Sequence, residues 1–191
     1  MQFEPFLADK REALDKIEMG GALRITLGFE QSFWTRDILK DASFLQAESE
    51  DFPTWWTALP YRIPRLTGWV GGPRAWDISR ESNHKILERA LRSLSRMFGR
   101  PYTDIKDVLT SWQVHNWQMD PYSRGAYSYI GVRGMDMPEQ LAAPIAQTLF
   151  FAGEATWSKS MSGTVDAALA SGERAAREVL QQHAEVRELV A

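Results

Sequence analysis

The stretch Leu149-Phe150-Phe151-Ala152-Gly153-Glu154-Ala155-Thr156, followed by Ser162-Gly163-Thr164-Val165 and a long helical run, decides the fold of this 191-residue chain. Three large apolar residues before Ala152-Gly153 predict a strand covered on both faces, because a half-exposed strand alternates apolar with polar residues. Beyond the loop, small and apolar residues recur at spacings of three and four, which predicts a helix that packs closely on a sheet. These residues are Val165, Ala168, Leu169, Gly172, Ala175, Ala176, Val179 and Leu180.

The beginning of that helix is a candidate binding site. Gly163 allows a sharp turn, and either Ser162 or Thr164 is suited to cap the first amides. A helix N-terminus carries partial positive charge and N–H donors without helical partners, which suits an anion or an electron-rich ring. Plain packing of a helix on a strand is the alternative interpretation, and the pattern alone leaves both open.

Composition limits the classes of function. The net charge is −3 and the sequence pI is about 5.7, without a basic stripe, so nucleic acid is not an expected partner. The absence of cysteine excludes disulfides and thiolate chemistry, and the three histidines lie too far apart to predict a metal site. No signal peptide or membrane-spanning run is evident, so we expect a soluble, cytoplasmic protein that contacts no membrane.

Periodicity predicts further elements along the chain. Residues 8–19 read as a short surface helix, and residues 22–29 read as a strand with Leu23, Ile25 and Leu27 on its apolar face. Strands are also expected within 44–47, 55–59 and 66–73, and a long amphipathic helix over 78–98.

Residues 111–129 predict a hairpin that carries aromatic side chains. The period of two places Gln113, His115 and Trp117 on one strand face, and Asp120-Pro121 begins a turn. The returning strand then carries Tyr127 and Tyr129 on a common face, so that one tryptophan and two tyrosines converge on a cavity. Ordinary pairing of aromatic residues across a hairpin is the alternative.

Three of these motifs, in order along the chain, resemble one family. The segments 150–156, 162–165 and 171–176 resemble the closing part of the flavin-containing amine oxidases, which include monoamine and polyamine oxidases and their histone-demethylase relatives. Trp117, Asp120-Pro121 and the string 124–129 are closely similar to a motif of the polyamine oxidase and histone-demethylase branch. The strand 22–29, continuing to Phe33-Trp34, is similar to a third segment of the family.

The resemblance implies FAD as cofactor and assigns the residues around it. Glu154 would lie beside the ribityl and pyrophosphate groups, and the amide of Val165 would face the flavin carbonyl next to N1. Gly153, Gly163 and Thr164 complete the implied cofactor-binding set. A reduced flavin carries negative charge at N1 and C2=O, which a helix N-terminus stabilises.

The resemblance also implies the substrate side of the site. Trp117 and Tyr127 would lie near the flavin and form an aromatic wall that holds an amine by dispersion and cation–π attraction. Where many relatives place a second aromatic residue, this chain has Ser160 or Met161, which argues against the usual small amine.

Arg24 departs from the family pattern. The family commonly has a lysine at this position, which holds a water against flavin N5 and assists oxidation. A guanidinium is planar and always charged, so the exchange is not conservative. Either Arg24 faces the flavin edge as a catalytic residue, or it is an arginine on the polar face of a strand.

The resemblance covers only the C-terminal part of the family and implies an α+β fold. Residues 1–145 would form a substrate-domain-like mixed sheet flanked by helices, and residues 146–191 the C-terminal strand and helix of an FAD-binding domain. We find no Gly-x-Gly-x-x-Gly turn of an N-terminal Rossmann βαβ unit.

Three interpretations follow from this. The chain is part of an FAD-dependent amine oxidase that needs an N-terminal FAD-binding polypeptide, or a non-catalytic remnant that serves as a binding or interface module, or a small enzyme that binds flavin weakly. In the first, an amine is oxidised by hydride transfer to flavin, with oxygen as final acceptor. Apolar surface left for the missing part predicts association, including self-association.

Overall fold

The computed structural model describes residues 3, 7–35, 39–158 and 162–190. For residues 185–190 it describes the backbone only. The chain divides into two compact units: Gly21–Ala126, and Met1–Gly20 together with Tyr127–Ala191. The strands are β1 (Ile17–Gly20), β2 (Ala22–Phe29), β3 (Phe44–Gln46), β4 (Thr54–Thr57), β5 (Arg65–Gly71), β6 (Leu109–Asn116) and β7 (Tyr127–Ile130). The α-helices are α1 (Arg11–Lys16), α2 (Pro73–Ser79), α3 (Asn83–Phe98), α4 (Tyr102–Asp107), α5 (Met137–Ala142) and α6 (Val165–Val190). Short 3-10 helices occupy Ala8–Lys10 and Glu154–Thr156. The predicted α+β class is confirmed.

The Gly21–Ala126 unit is built on a five-stranded sheet in the order β3-β4-β5-β2-β6, with antiparallel pairing throughout rather than a mixture of directions. Strand β2 lies between β5 and β6, so Arg24 is opposite Trp69 on one side and His115 on the other. The predicted alternation is confirmed, since Leu23, Ile25 and Leu27 are fully buried. The opposite side of the sheet, which carries Arg24, is called the open face below.

Helix α3 covers the buried face of this sheet. Its apolar residues Ile86, Ala90, Leu91 and Leu94 belong to the same core as β2 and β5. The helix begins at Asn83 rather than Ile78, because the Ser82 side chain accepts a hydrogen bond from the Lys85 amide and caps a new start. Residues 73–79 form the separate helix α2, with Pro73 in its first turn.

The second unit corrects two of the predictions. The helix expected over 8–19 ends at Lys16, because Ile17–Gly20 form β1 and pair with β7. The expected hairpin of β6 and β7 is therefore wrong, since the hydrogen bonds of β7 go to β1. Period-two patterning shows which residues share a face but does not identify the partner strand.

The predicted buried strand at 149–153 is also wrong. Leu149 makes one isolated bridge to Ile145, and no further strand pairing involves this segment among the described residues. A strand requires an adjacent strand for its N–H and C=O groups. Arg174 instead donates from Nη2 to the Phe151 carbonyl at 2.8 Å.

Helix α6 buries a different side from the one expected. Its most buried residues are Ala167 and Ser171, whereas Val165, Leu169 and Leu180 are exposed. The predicted packing of the apolar stripe on a sheet is wrong for the described residues.

Within the described part of the chain, no helix is both long and apolar enough to cross a membrane.

Candidate functional site

The beginning of α6 has the predicted local structure. The Thr164 hydroxyl accepts a hydrogen bond from the Ala167 amide at 3.2 Å, so Thr164 is the cap. Gly163 has φ +77°, in the left-handed region that favours glycine. Val165 is the first helical residue and is 76% exposed. The first amides of an α-helix have no carbonyl partner within the helix, so this exposed end suits an acceptor group.

Glu154 is held close to this helix start. Its two carboxylate oxygens accept hydrogen bonds from the Ser128 amide at 2.8 Å and the Ser128 hydroxyl at 2.7 Å. A side chain added to Gly163 would place its Cβ 4.0 Å from Glu154 Oε2 and 3.5 Å from the Ser128 carbonyl oxygen. A carboxylate has about four acceptor sites, so two hydrogen bonds leave room for hydroxyl donors of a ligand.

The turn that carries Glu154 is anchored to α6. Gly153, with φ +133°, donates its amide to the Ser171 hydroxyl at 2.9 Å, and its carbonyl accepts from Thr156. Ser171 is fully buried on the helix. Arg174 adds a hydrogen bond from Nη2 to the Thr156 hydroxyl at 3.1 Å. These bonds fix the backbone of Gly153 and Glu154 relative to the helix.

Tyr127 belongs to the same cluster. The hypothetical Cβ at Gly163 lies 3.9 Å from Tyr127 Cδ2, so the ring borders the start of α6. Tyr127 and Tyr129 share the more exposed face of β7, as expected, with buried Ser128 between them. The Tyr129 hydroxyl donates to Glu18, and this hydrogen bond raises the pKa of Tyr129.

Arg24 and Trp117 lie in the other unit. The Arg24 side chain is exposed on the open face and makes no hydrogen bond, ion pair or ring contact within the described part of the chain. Trp117 follows β6, and its ring centroid lies 4.1 Å from that of His115. His115 Nε2 is 3.4 Å from Asp120 Oδ2.

The structure thus brings together Tyr127, Glu154 and Gly163, with Thr164 and Val165 next along the chain. It places Arg24 and Trp117 in the Gly21–Ala126 unit. Ser160 and Met161 lie outside the described residues. Sequence reasoning missed Ser128 as the partner of Glu154, because no local pattern links a β7 hydroxyl to a carboxylate 26 positions away. The neighbours of Arg24 were missed for a similar reason, since they depend on strand register.

The residues present fit the isoalloxazine and ribityl part of FAD. Gly163 has no side chain to block the exposed helix start, whose polarity suits the electron-rich pyrimidine edge of a flavin. Glu154 keeps acceptor capacity for ribityl hydroxyl groups. This fit rests on residues of one unit only.

Comparison with known proteins gives consistent matches. Residues 1–180 match the model of the family described as "Flavin containing amine oxidoreductase". The chain is 32% identical over 188 residues to "Lysine-specific histone demethylase 1 homolog 3" of Arabidopsis thaliana, covering 94% of this chain and 11% of that protein. It is 32% identical over 201 residues to the human "Peroxisomal N(1)-acetyl-spermine/spermidine oxidase", covering 92% and 38%. The resemblance inferred from the motifs is confirmed, and a flavin family supports FAD as the cofactor.

A solved structure supports the fold. Cyclohexylamine oxidase from Brevibacterium oxydans IH-35A superposes with a TM-score of 0.77 at 20% identity, covering 95% of this chain and 40% of that one. The chain therefore spans less than half the length of each of these relatives.

Proposed function

Because this chain belongs to the family of flavin-containing amine oxidoreductases, we propose that it is the C-terminal part of an FAD-dependent amine oxidase. The observation that carries the proposal is the grouping of Tyr127, Glu154 and Gly163 beside the exposed start of α6. When bound, FAD would accept a hydride from the carbon next to the amine nitrogen and transfer the electrons to oxygen. The imine product would hydrolyse to a carbonyl compound.

The cofactor-binding residues have distinct proposed roles. The amide of Val165 and the positive end of α6 stabilise negative charge on the pyrimidine edge of the flavin. Glu154 accepts hydrogen bonds from the ribityl hydroxyl groups while Ser128 holds its position. Gly153 and Gly163 supply backbone conformations with positive φ, and Thr164 caps the helix.

Three residues are proposed on the substrate side. Trp117 and Tyr127 provide apolar ring surface that holds the amine and excludes water. Arg24 occupies the position at which the family commonly has lysine, and its exposed guanidinium offers donors to a group near the reacting carbon. Each of these side chains is accessible in its own unit.

We further propose that an N-terminal polypeptide carrying the dinucleotide-binding part completes the site. Val165, Leu169 and Leu180 present apolar side chains on an uncovered side of α6, and exposed apolar surface favours association. The division between a substrate-domain-like region, residues 1–145, and the C-terminal part of an FAD-binding domain, residues 146–191, remains a prediction. The cytoplasmic location also remains a prediction. The same exposed residues favour a second candidate function, a non-catalytic interface module.

An absorbance spectrum separates the two functions. The purified chain, with added FAD and with a separately expressed dinucleotide-binding polypeptide, should acquire a flavin band in a 1:1 ratio, and Glu154→Ala should reduce that ratio. If the chain associates with that polypeptide but remains colourless under every condition, the interface module is correct. A monodisperse monomer in size-exclusion chromatography, with or without that polypeptide, would contradict both the association and the module.

A further inference from the structure

The five strands of the open face carry two arginines and no acidic residue, and Asp120, which follows β6, faces His115. Arg24 and Arg65 are exposed on this face, and His115 lies opposite Arg24. None of the five strands, all of which the structure describes, contains an aspartate or a glutamate. Charges of one sign on a surface attract ligands of the opposite sign and repel like-charged ones.

The guanidinium of Arg24 retains its hydrogen-bonding capacity. It has no hydrogen bond or ion pair within the described residues, whereas a guanidinium can donate five. The nearest acid after β6, Asp120, is already engaged, since Oδ1 accepts from the Tyr122 amide at 2.9 Å and Oδ2 faces His115. Arg24 is therefore a cation with available donors at an interior strand of the sheet.

Aromatic side chains lie on the strand next to Arg24. Trp69 is the cross-strand partner of Arg24, and its ring lies along β5, because a Cβ on Gly71 would be only 2.4 Å from Trp69 Cη2. Trp56 continues this surface, with its ring centroid 6.5 Å from that of Trp69. The open face thus combines an available guanidinium on β2 with aromatic rings on the same face of β4 and β5.

We propose that Arg24 binds a carboxylate, and that the substrate of the enzyme proposed above is an amine that also carries a carboxylate, with apolar bulk that contacts Trp69. This substrate class rests on the proposed function, whereas carboxylate binding by Arg24 does not. A guanidinium pairs with a carboxylate through two parallel hydrogen bonds, which a lysine cannot reproduce. A polyamine would meet repulsion from Arg24 and lacks the group that these donors require.

The test compares ligands that differ in their charged group. Phenylacetate and benzylamine share a phenylmethylene group, but one is a carboxylate and the other an ammonium. The 191-residue chain, labelled with nitrogen-15 and free of flavin, is titrated with each compound and with spermidine. Indole N–H resonances report binding, and Trp69→Phe identifies the resonance of Trp69. We expect phenylacetate to shift the Trp69 resonance saturably, in the millimolar range or tighter, and to bind at least about tenfold more tightly than benzylamine.

Substitutions then assign the effect to Arg24. Arg24→Gln should weaken phenylacetate binding by about tenfold or more, and Arg24→Lys should recover only part of that loss. Arg65→Gln is the matched control, because Arg65 is on the same face but opposite Gly28, about 13 Å along the strand from Arg24. Arg65→Gln should leave the affinity unchanged.

Several results would overturn the inference. These are no saturable phenylacetate binding, equal or tighter binding of benzylamine or spermidine, or an equal effect of Arg24→Gln and Arg65→Gln. Because these measurements are made without flavin, the proposed function can fail in the absorbance experiment while carboxylate binding stands. Conversely, carboxylate binding can fail in this titration while the absorbance experiment supports the proposed function.

Discussion

The start of α6 and the open face of the sheet hold their predicted functional residues in different ways. Around α6, Glu154 is fixed by two hydrogen bonds to Ser128, Gly153 is bound to buried Ser171, and Gly163 requires a left-handed backbone. On the open face, Arg24 projects from a regular strand without a partner among the described residues. The binding residues at the start of α6 therefore depend on fixed backbone conformations and hydrogen bonds. The strand that carries Arg24 could accept different side chains at that position.

This difference suggests a division of roles. A cofactor common to a family needs fixed backbone and charge positions, which the first region supplies. Substrate preference varies between relatives, and exposed strand positions can change without disturbing the core beneath them. Substitutions in the first region should therefore lower both stability and flavin binding, while those on the open face should alter ligand binding alone.

The largest expected effect is that of Glu154→Ala. This substitution leaves the partly buried amide and hydroxyl of Ser128 without their acceptor, so the free energy of unfolding should fall by about 1–3 kcal/mol. Urea denaturation measures the change, and flavin binding should decline with it. Glu139→Ala is the control, because the Glu139 carboxylate accepts one exposed hydrogen bond from the Ser158 hydroxyl, so this substitution should change stability by less than about 0.5 kcal/mol. Equal effects of the two substitutions would contradict the proposed rigidity of the first region.

Two glycines, one at the start of α6 and one in the interior of the helix, give the next largest effect. Gly163→Ala forces an alanine into φ +77° and should lower stability by about 1–2 kcal/mol. Gly172→Ala lies within α6 with no atom within 4 Å of the new Cβ, so it should raise stability by up to about 1 kcal/mol. Thermal unfolding of the two variants measures the opposite signs. A stabilising Gly163→Ala would show that the helix start does not need the left-handed turn.

The sequence allowed much of the first region to be predicted because its determinants are local. The beginning of α6 and the turn at Gly163 follow from residues within a few positions of one another, and so does a cap at Ser162 or Thr164, of which the structure uses Thr164. The burial of every second residue, Leu23, Ile25 and Leu27, could also be predicted, because the alternation of side chains along a strand is a local property.

Most of the failures concern partners distant in sequence; the start of α3 at Asn83, set by the nearby cap Ser82, is the exception. Strand β7 pairs with β1 rather than β6, and residues 149–153 form no strand. The apolar stripe of α6 was expected to be buried, yet Leu169 and Leu180 are exposed. A hydrophobic pattern shows that a face can be covered but not which segment covers it. The contact between Glu154 and Ser128 was missed for the same reason.

On the open face we expect a substitution to change ligand binding but not the free energy of unfolding. Arg24→Lys removes no hydrogen bond or ion pair within the described residues, so the free energy of unfolding should change by less than about 0.5 kcal/mol. In the assembled flavoenzyme, the KM for an amine that carries a carboxylate should rise. Urea denaturation and steady-state kinetics on the same preparation separate the two effects. A marked loss of stability would mean that Arg24 is a structural residue of the sheet.

The smallest effect concerns a pH-dependent contact near the first region. The hydrogen bond from Tyr129 to Glu18 raises the pKa of Tyr129 above its ordinary value of 10.0. Because the folded pKa is the higher one, the stabilisation is complete below pH 10 and is lost as the pH rises through the folded pKa. In an ultraviolet titration of the folded chain, one of the five tyrosines should therefore ionise late, and Tyr129→Phe should remove that step. Glu18→Gln should return it to the ordinary range. If Glu18→Gln leaves the late step in place, another group perturbs Tyr129, and the tie between β1 and β7 depends on backbone pairing alone.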